Sequence, residues 1–427
     1  MNKPSFVPKV PNSYDFAYDE PEHSSLPHVV KFSGGRSSAM MLLILLHNRK
    51  LRAKRGDVIV FNNTSAEHPE TYKFVRTCKE IAERRYGIPF FLTEFQTYED
   101  AWLGRWRRVA SYRLVKATPY REYKNRNSNG YRQKGEVFKE FISWNSQLPT
   151  RFARTCTEYL KLQTTAHFLE DWFGRCTSRQ DQASGQFACK DRTRRLGHFY
   201  PESMMPQPET YGQRAEIVRY HFDQPCVRNA QKFGDFTDAH LVDFHRKHIE
   251  PYVFDQKATL RSQDPLKFVS LVGLRADEPV RVARILQRNN AAHSPDRLAD
   301  GEYVYAPLFN WNIGKEDVLE FWNEQSFDLG IPVETNLSNC VYCFMKGPST
   351  LRKLAKHSTG EGPSNIQWWA DVESDYSRVV QSSTKPGEMT TFGFFGANAL
   401  TYSRIIATSD ANDDSRSIST LPCECTD

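Results

Sequence analysis

Short apolar segments of strand character alternate with helical ones through the first ninety residues, which leaves few folds open to the chain. Residues 28–33 (HVVKFS) read as a buried strand, 38–48 as a helix, and 57–62 (DVIVFN) as a second strand ending in polar residues. Residues 70–86 follow with helical spacing that sets Phe74, Cys78 and Ile81 on one side, and 89–92 read as a third strand. Strands separated by helices pair in parallel through crossovers, so the fold class expected is α/β, a doubly wound parallel sheet. Residues 268–274 (FVSLVGL) supply a later buried strand, and 315–323 a helix with apolar Val318, Leu319 and Trp322. Residues 175–210, rich in Ser, Gln, Arg and Pro, lack periodicity and read as an inserted connector. The tail after Gly360 reads as polar and irregular apart from IQWWADV and TTFGFFGANAL.

A chain of 427 residues suits two or three domains, or one α/β core with large insertions. The longest apolar run, 39–46, falls well short of the roughly 20 residues of a membrane span, so a soluble protein with no membrane partner is expected. Residues 1–25 contain neither an apolar core nor a small-residue cleavage site. They read as a flexible lead-in rather than a signal peptide, and the expected location is cytoplasmic. In that reducing compartment the nine cysteines are expected as thiols or metal ligands rather than disulfides.

The net charge of +6 is mild, but its distribution is not. Between residues 105 and 134 there are ten Lys or Arg against the single acid Glu122, with Trp106, Tyr112, Tyr120, Tyr123 and Tyr131 interleaved. Such a segment suits a polynucleotide backbone with aromatic stacking. A solvated basic insertion, or a flap over the phosphates of a bound nucleotide, is the equal alternative.

Between the first strand and helix stands SGGRSS. A loop that leaves a buried strand and opens a helix aims backbone N–H groups at the space above the helix start, where the dipole also favours an anion. Gly34 and Gly35 permit close approach, and Ser33, Ser37 and Ser38 add hydroxyls; Arg36 lies among them. The spacing matches neither a Walker loop nor a dinucleotide fingerprint. For the loop alone, an ordinary helix cap is the alternative. Asn62 and Asn63, at the end of the second strand, stand where a doubly wound sheet holds a base or ribose. Arg154, Lys161, Arg275 and Arg281 are candidate phosphate clamps, or else ordinary salt-bridge partners.

SGGRSS resembles the SGGxDS pyrophosphate loop of the adenine nucleotide α-hydrolase (PP-loop, HUP-type) superfamily, in particular its phosphoadenosine phosphosulfate (PAPS) reductase-like branch of the phage and mobile-element kind. FNNTSAEHPET (61–71), RTCTEYLKL (154–162), GLRADEPVR (273–281) and YAPLFNWNIGKEDVLEFW (305–322) resemble further segments of that branch in the same order. The resemblance spans about residues 28–347. It implies a nucleotide-binding α/β domain over 26–325 with insertions near 104–136 and 175–240, and a cysteine-containing region over 326–427. ATP with Mg2+ is the nucleotide implied, although the usual loop aspartate is Ser37 here.

NCVYCFMKG places Cys340 and Cys343 at CxxC spacing, which lets two thiolates share a metal; zinc, iron-sulfur and redox use all remain open from the spacing. Cys423 and Cys425 offer a second pair, and Cys156 sits in the RTCT segment. The resemblance favours a 4Fe-4S cluster, with zinc as the alternative. It implies adenylation of a substrate followed by sulfur transfer, as in Dnd-type phosphorothioation enzymes and cluster-dependent tRNA thiolases, with DNA or RNA as acceptor and a sulfur donor such as a cysteine desulfurase. Two alternatives stand: a nucleotide-binding phage or defence component without catalysis, and a sulfonucleotide reductase, which the lack of an ECGxH-type tail disfavours.

Overall fold

The computed structural model describes residues 21–102, 105–121, 130–173, 197–199, 266–290, 301–335, 337–356, 358, 360–381, 387–397 and 400–409. Strands β1 (His28–Lys31), β2 (Val58–Asn63), β3 (Phe90–Trp102), β4 (Arg105–Pro119), β5 (Gly130–Tyr131), β7 (Lys267–Val272) and β8 (Gly301–Tyr305) form one sheet in the order β5-β4-β3-β2-β1-β7-β8. Strand β6 (Gly197–Phe199) pairs onto β4. Neighbours from β3 to β8 along this order are parallel, whereas β3 and β4 are antiparallel. The chain leaves β1 toward β2 and β3, then returns to build β7 and β8 on the other side. The order thus reverses between β1 and β7, where a doubly wound sheet opens a crevice above its carboxyl ends.

Strand alternation sorts the core into two faces. Val30, Ile59 and Val269 pack with α1 (Arg36–His47), α2 (Pro69–Tyr86) and α8 (Lys315–Asn323). Val29, Val58, Val60 and Phe268 pack on the opposite face with α5 (Thr164–Trp172), and Val272 and Val304 pack there with α6 (Pro279–Asn290). Helix α1 is buried along its whole length from Ser38 to Leu46, which explains a run without a polar face. Helix α2 begins at Pro69, with the His68 ring accepting from Glu70 N–H at 3.2 Å, and stops at Gly87, whose φ of 67° suits glycine.

The short strand expected over 89–92 runs on to Trp102, and the expected insertion near 104–136 opens with β4, paired antiparallel to β3 from Leu92↔Val115 to Trp102↔Arg105. Beyond Leu92, β3 turns buried polar groups inward (Thr93, Glu94, Gln96, Thr97), so apolar alternation gives no sign of it. Residues 21–25 form a 3-10 turn whose His23 ring is buried, with Nδ1 2.7 Å from the Tyr305 hydroxyl. Residues 1–20 and nearly all of 175–240 lie outside the described residues.

A further core joins α3 (Glu136–Asn145) to the CxxC turn, α9 (Pro348–Ala355), α10 (Ile366–Tyr376) and α11 (Tyr402–Ala407). The tail is therefore more regular than its composition suggests, with a three-stranded sheet of β9 (Arg378–Gln381), β10 (Met389–Gly393) and β11 (Gly396–Ala397). Trp368 and Trp369 belong to this core, and Trp369 meets Phe138 at 5.3 Å between ring centroids.

Glu373 ties these pieces together: its buried carboxylate accepts from Phe394 N–H at 3.0 Å and Tyr402 N–H at 2.6 Å. Burial pushes this carboxyl from 4.5 up to about 7, and the two N–H donors pull it back only in part. The folded state therefore holds the proton more tightly than the unfolded chain. The stability so conferred is complete below about pH 4.5 and lost as pH rises through about 7. Glu373→Gln is expected to flatten that loss, read as the difference between urea midpoints at about pH 5 and about pH 8. A variant with the wild-type pH dependence would assign it to another group.

Candidate nucleotide cleft at the sheet switch point

Strand β1 ends in a loop that only glycine can follow. Gly34 has φ 78°, and a Cβ there would stand 2.8 Å from Thr71 Cγ2. Gly35 is the N-cap residue of α1, and no side chain caps the helix. The serines turn toward one another instead: the Ser33 and Ser38 hydroxyls lie 2.9 Å apart, and Ser38 Oγ donates to Gly35 O at 3.0 Å. An ordinary side-chain cap, the bland reading of this loop, is thus not what the serines form. The positive end of α1, which this loop leads into, has no acidic side chain in its first turn.

The loop after β7 presses against this helix start. A Cβ on Gly273 would lie 2.7 Å from Ser38 Cα, so glycine is required for the approach. Two residues on, Arg275 Nη1 donates to Ser37 Oγ at 3.1 Å, while its Nε and Nη2 hold Asp277 at 2.9 and 3.0 Å. The position where the resembling family carries aspartate is therefore occupied by a hydroxyl that already receives a guanidinium. Arg281 pairs with Glu278 in a buried contact, and Glu278 also lies 3.5 Å from Arg275. Arg281 backs the loop through that carboxylate rather than standing in it. Arg36 turns away from the loop to Asp328 and donates to Ile331 O at 2.8 Å.

The cleft opens to solvent over the carboxyl ends of β1 and β2. It is lined by Lys31, Ser33 and Asn62 from the sheet side of the chain, by Lys161, Leu162 and Thr165, and by Glu67, Asn339 and Cys340. Lys161 and Leu162 are presented by a π-helical stretch, Glu158–Gln163, between α4 (Thr155–Thr157) and α5. One extra residue per turn at this point is a recurrent mark of functional sites. Asn62 is braced by Thr93 Oγ1, which donates to its Oδ1 at 2.7 Å, and by Thr165 Oγ1, which accepts from its Nδ2 at 2.9 Å. Asn63, fully buried, is consumed by structure: its amide donates to Glu94 and Arg132 O, and Ser65 N–H and Tyr72 donate to its Oδ1. Arg154 sits at the start of α4 with Nη2 3.4 Å from Thr157 Oγ1, and it is not among the cleft-lining residues.

Cys340 joins the cleft to the cysteine region. Its Sγ is 3.6 Å from Thr64 Oγ1, which in turn donates to Glu67 at 2.7 Å. The other described cysteines of the set lie at the same core as Tyr402. Its hydroxyl donates to Tyr342 O, and its pKa is raised well above 10 by burial first, then by charge on Cys343, Glu373, Cys340 and Cys156. Cys340, Cys343 and Tyr402 belong to one core, and Cys156 packs against it. Lys346, also buried, donates to Ser338 O at 3.2 Å and Val341 O at 2.8 Å, which places a cation beneath the CxxC turn. This set suits a thiolate-bound centre in donor chemistry, although no three His, Cys, Asp or Glu side chains among the described residues already stand in ligating geometry. Cys423 and Cys425 lie outside the described residues.

The basic segment is differently placed from a solvated groove. Arg108 is buried against Glu140, and Arg113 and Arg132 both bond Glu94. Tyr112 and Tyr131 are buried, the latter stacked on Tyr72 at 4.5 Å, and Tyr120 lies beneath Arg132. Lys116, Arg121 and Lys134 are exposed, with Lys134 bonded to Glu361 at 2.7 Å. Residues 122–129 lie outside the described residues.

Sequence reasoning missed Lys31, Glu67, Thr165 and Asn339 as cleft residues. Of these, Lys31 carried a signal, since it is a charge inside a central parallel strand, where apolar residues are the rule.

The fold and site together define a doubly wound α/β protein with an anion-favouring helix start and a thiol at its switch-point cleft. No family model matches the chain, and no solved structure matches it. Among curated proteins it is similar to the uncharacterised nin region protein ORF290 of Escherichia phage lambda, 23% identical over 343 residues, which covers 78% of this chain and 71% of that protein. Among the described residues no helix is long and apolar enough to cross a membrane.

Proposed function

We propose that the chain is an ATP-binding enzyme of the PP-loop, PAPS reductase-like kind that adenylates a substrate oxygen and exchanges that oxygen for sulfur. The observation that carries this reading is a single cleft in which Ser33, from the loop that leads into the uncapped start of α1, stands with Asn62 and Lys161 beside Cys340. Pyrophosphate suits that helix start, where backbone N–H groups and the dipole favour negative charge and Arg275 stands ready at Ser37. In the first step a substrate oxygen forms a bond to the α-phosphorus and the bond to the bridging oxygen breaks. The electron pair leaves on pyrophosphate, whose growing charge Arg275 and the loop N–H groups stabilise. A sulfide donor then attacks the activated centre, the bond to sulfur forms, and the oxygen leaves with AMP. A 4Fe-4S cluster held by Cys156, Cys340 and Cys343, with Cys423 or Cys425, would supply the sulfur, while zinc there would act as a structural staple. DNA or RNA is the acceptor class proposed, and the location proposed is cytoplasmic.

Pyrophosphate release from labelled ATP tests the reading, measured with DNA and with RNA present. Release that depends on nucleic acid is expected; ATP binding without release would point instead to a nucleotide-binding component without catalysis. Anaerobic purification with iron, sulfide and zinc analysis of wild type and Cys343→Ser tests the centre. Matched iron and sulfide, lost in the variant, is expected, whereas stoichiometric zinc would remove the sulfur-carrying role.

A further inference from the structure

Lys31 and Glu302 are charged side chains built into two buried strands of the sheet, β1 and β8, that flank β7. Their side chains are 9% and 1% exposed, and Lys31 Nζ donates to Glu302 Oε1 at 2.8 Å across β7, whose Ser270 hydroxyl donates to the same oxygen. Removing two charges from water costs more than an apolar pair of similar volume would, so packing alone gives no reason for them. The cleft does: Lys31 lines it together with Ser33 and Lys161. An ammonium has three donors, and one bond to Glu302 leaves the others to be directed by that anchor.

Resting on the ATP reading above, we propose that Lys31 is a ligand-contacting residue that, with Lys161, binds the α-phosphate of the nucleotide, while Glu302 and Ser270 position it. The site is then divided. The loop and the start of α1 take the pyrophosphate half, and the two lysines take the phosphate that stays with the nucleoside. Lys31 meets the group at which the bond breaks, and it remains in contact with the AMP moiety after pyrophosphate has left.

Titrations of AMP and of pyrophosphate, separately, into wild type and a Lys31→Met/Glu302→Gln double variant test this division. The double variant removes both charges together, which buried pairs tolerate far better than loss of one partner; a Lys31→Arg variant, which keeps the charge, is carried alongside. AMP affinity is expected to fall about tenfold or more in the double variant, with pyrophosphate affinity within about twofold of wild type and AMP binding partly retained in Lys31→Arg. Unchanged AMP affinity in a double variant that still binds pyrophosphate would overturn the proposal and leave the pair as sheet structure. Equal losses for both ligands would overturn the division of the site. A wild-type protein that binds neither ligand would fail the ATP reading itself.

Discussion

Glu94→Ala is expected to lower the stability of the protein by about 3–5 kcal/mol, the usual cost of stranding buried cations by removing their shared partner. Glu94 is fully buried; its Oε1 accepts from Asn63 Nδ2 and Arg132 N–H, each at 2.7 Å, and its Oε2 accepts from Arg113 Nε at 2.8 Å and Arg132 Nη1 at 3.2 Å. Burial, and then the Arg113 charge, already pull Arg132 down to about 10. Without Glu94, two guanidinium groups would face each other in the interior. The urea midpoint reads the effect, with Glu94→Gln expected to fall between wild type and Glu94→Ala. A loss below about 1 kcal/mol would mean that the two arginines reach water, and would return them to the pool of cations open to a polyanion.

The second large effect is expected at the helix start. Arg275→Ala removes the guanidinium nearest to Ser37 and is expected to weaken ATP binding by about 10- to 100-fold, the range of one or two charge-assisted hydrogen bonds. Asp277 and Glu278 lose a partner at the same time, but Asp277 is largely exposed, so the fold tolerates the change. Arg281→Ala makes the useful contrast. It leaves Glu278 buried, so stability falls first and ATP affinity less. The two variants exchange these outcomes if Arg281, rather than Arg275, is the phosphate ligand.

These contrasts mark where sequence reasoning reached its limit. The expected boundaries of the β1–α1–β2–α2 unit lie within two residues of those observed, and the helix at 315–323 coincides with α8, because local apolar periodicity carries them. The loop's place was legible for the same reason: two glycines and three serines between a strand and a helix form a local pattern. The β3–β4 hairpin was not. Its buried face is written in Glu94, Thr97, Arg108 and Arg113, whose partners lie across the hairpin or on α3, so that a string of cations looked like surface. Asn62 and Asn63 show the limit in one dipeptide. Strand alternation sends one into the cleft and the other into a buried network, and only the register of β2 between β1 and β3 decides which. Cys156, Cys340 and Cys343 meet at a core that also holds Tyr402 of α11, from a tail that composition marks as irregular.

The measurement that bears most directly on the switch-point cleft as a nucleotide site is a calorimetric titration of ATP into wild type and Gly273→Val. Side-chain carbons at position 273 would run into Ser38 Cα and N, the first turn of α1, and displace the N–H groups proposed to hold the phosphates. Saturable ATP binding by wild type, lost in a variant whose circular dichroism stays that of the folded protein, is the result predicted. An absence of ATP binding by wild type, or equally tight binding by Gly273→Val, would contradict the assignment of this crevice to a nucleotide.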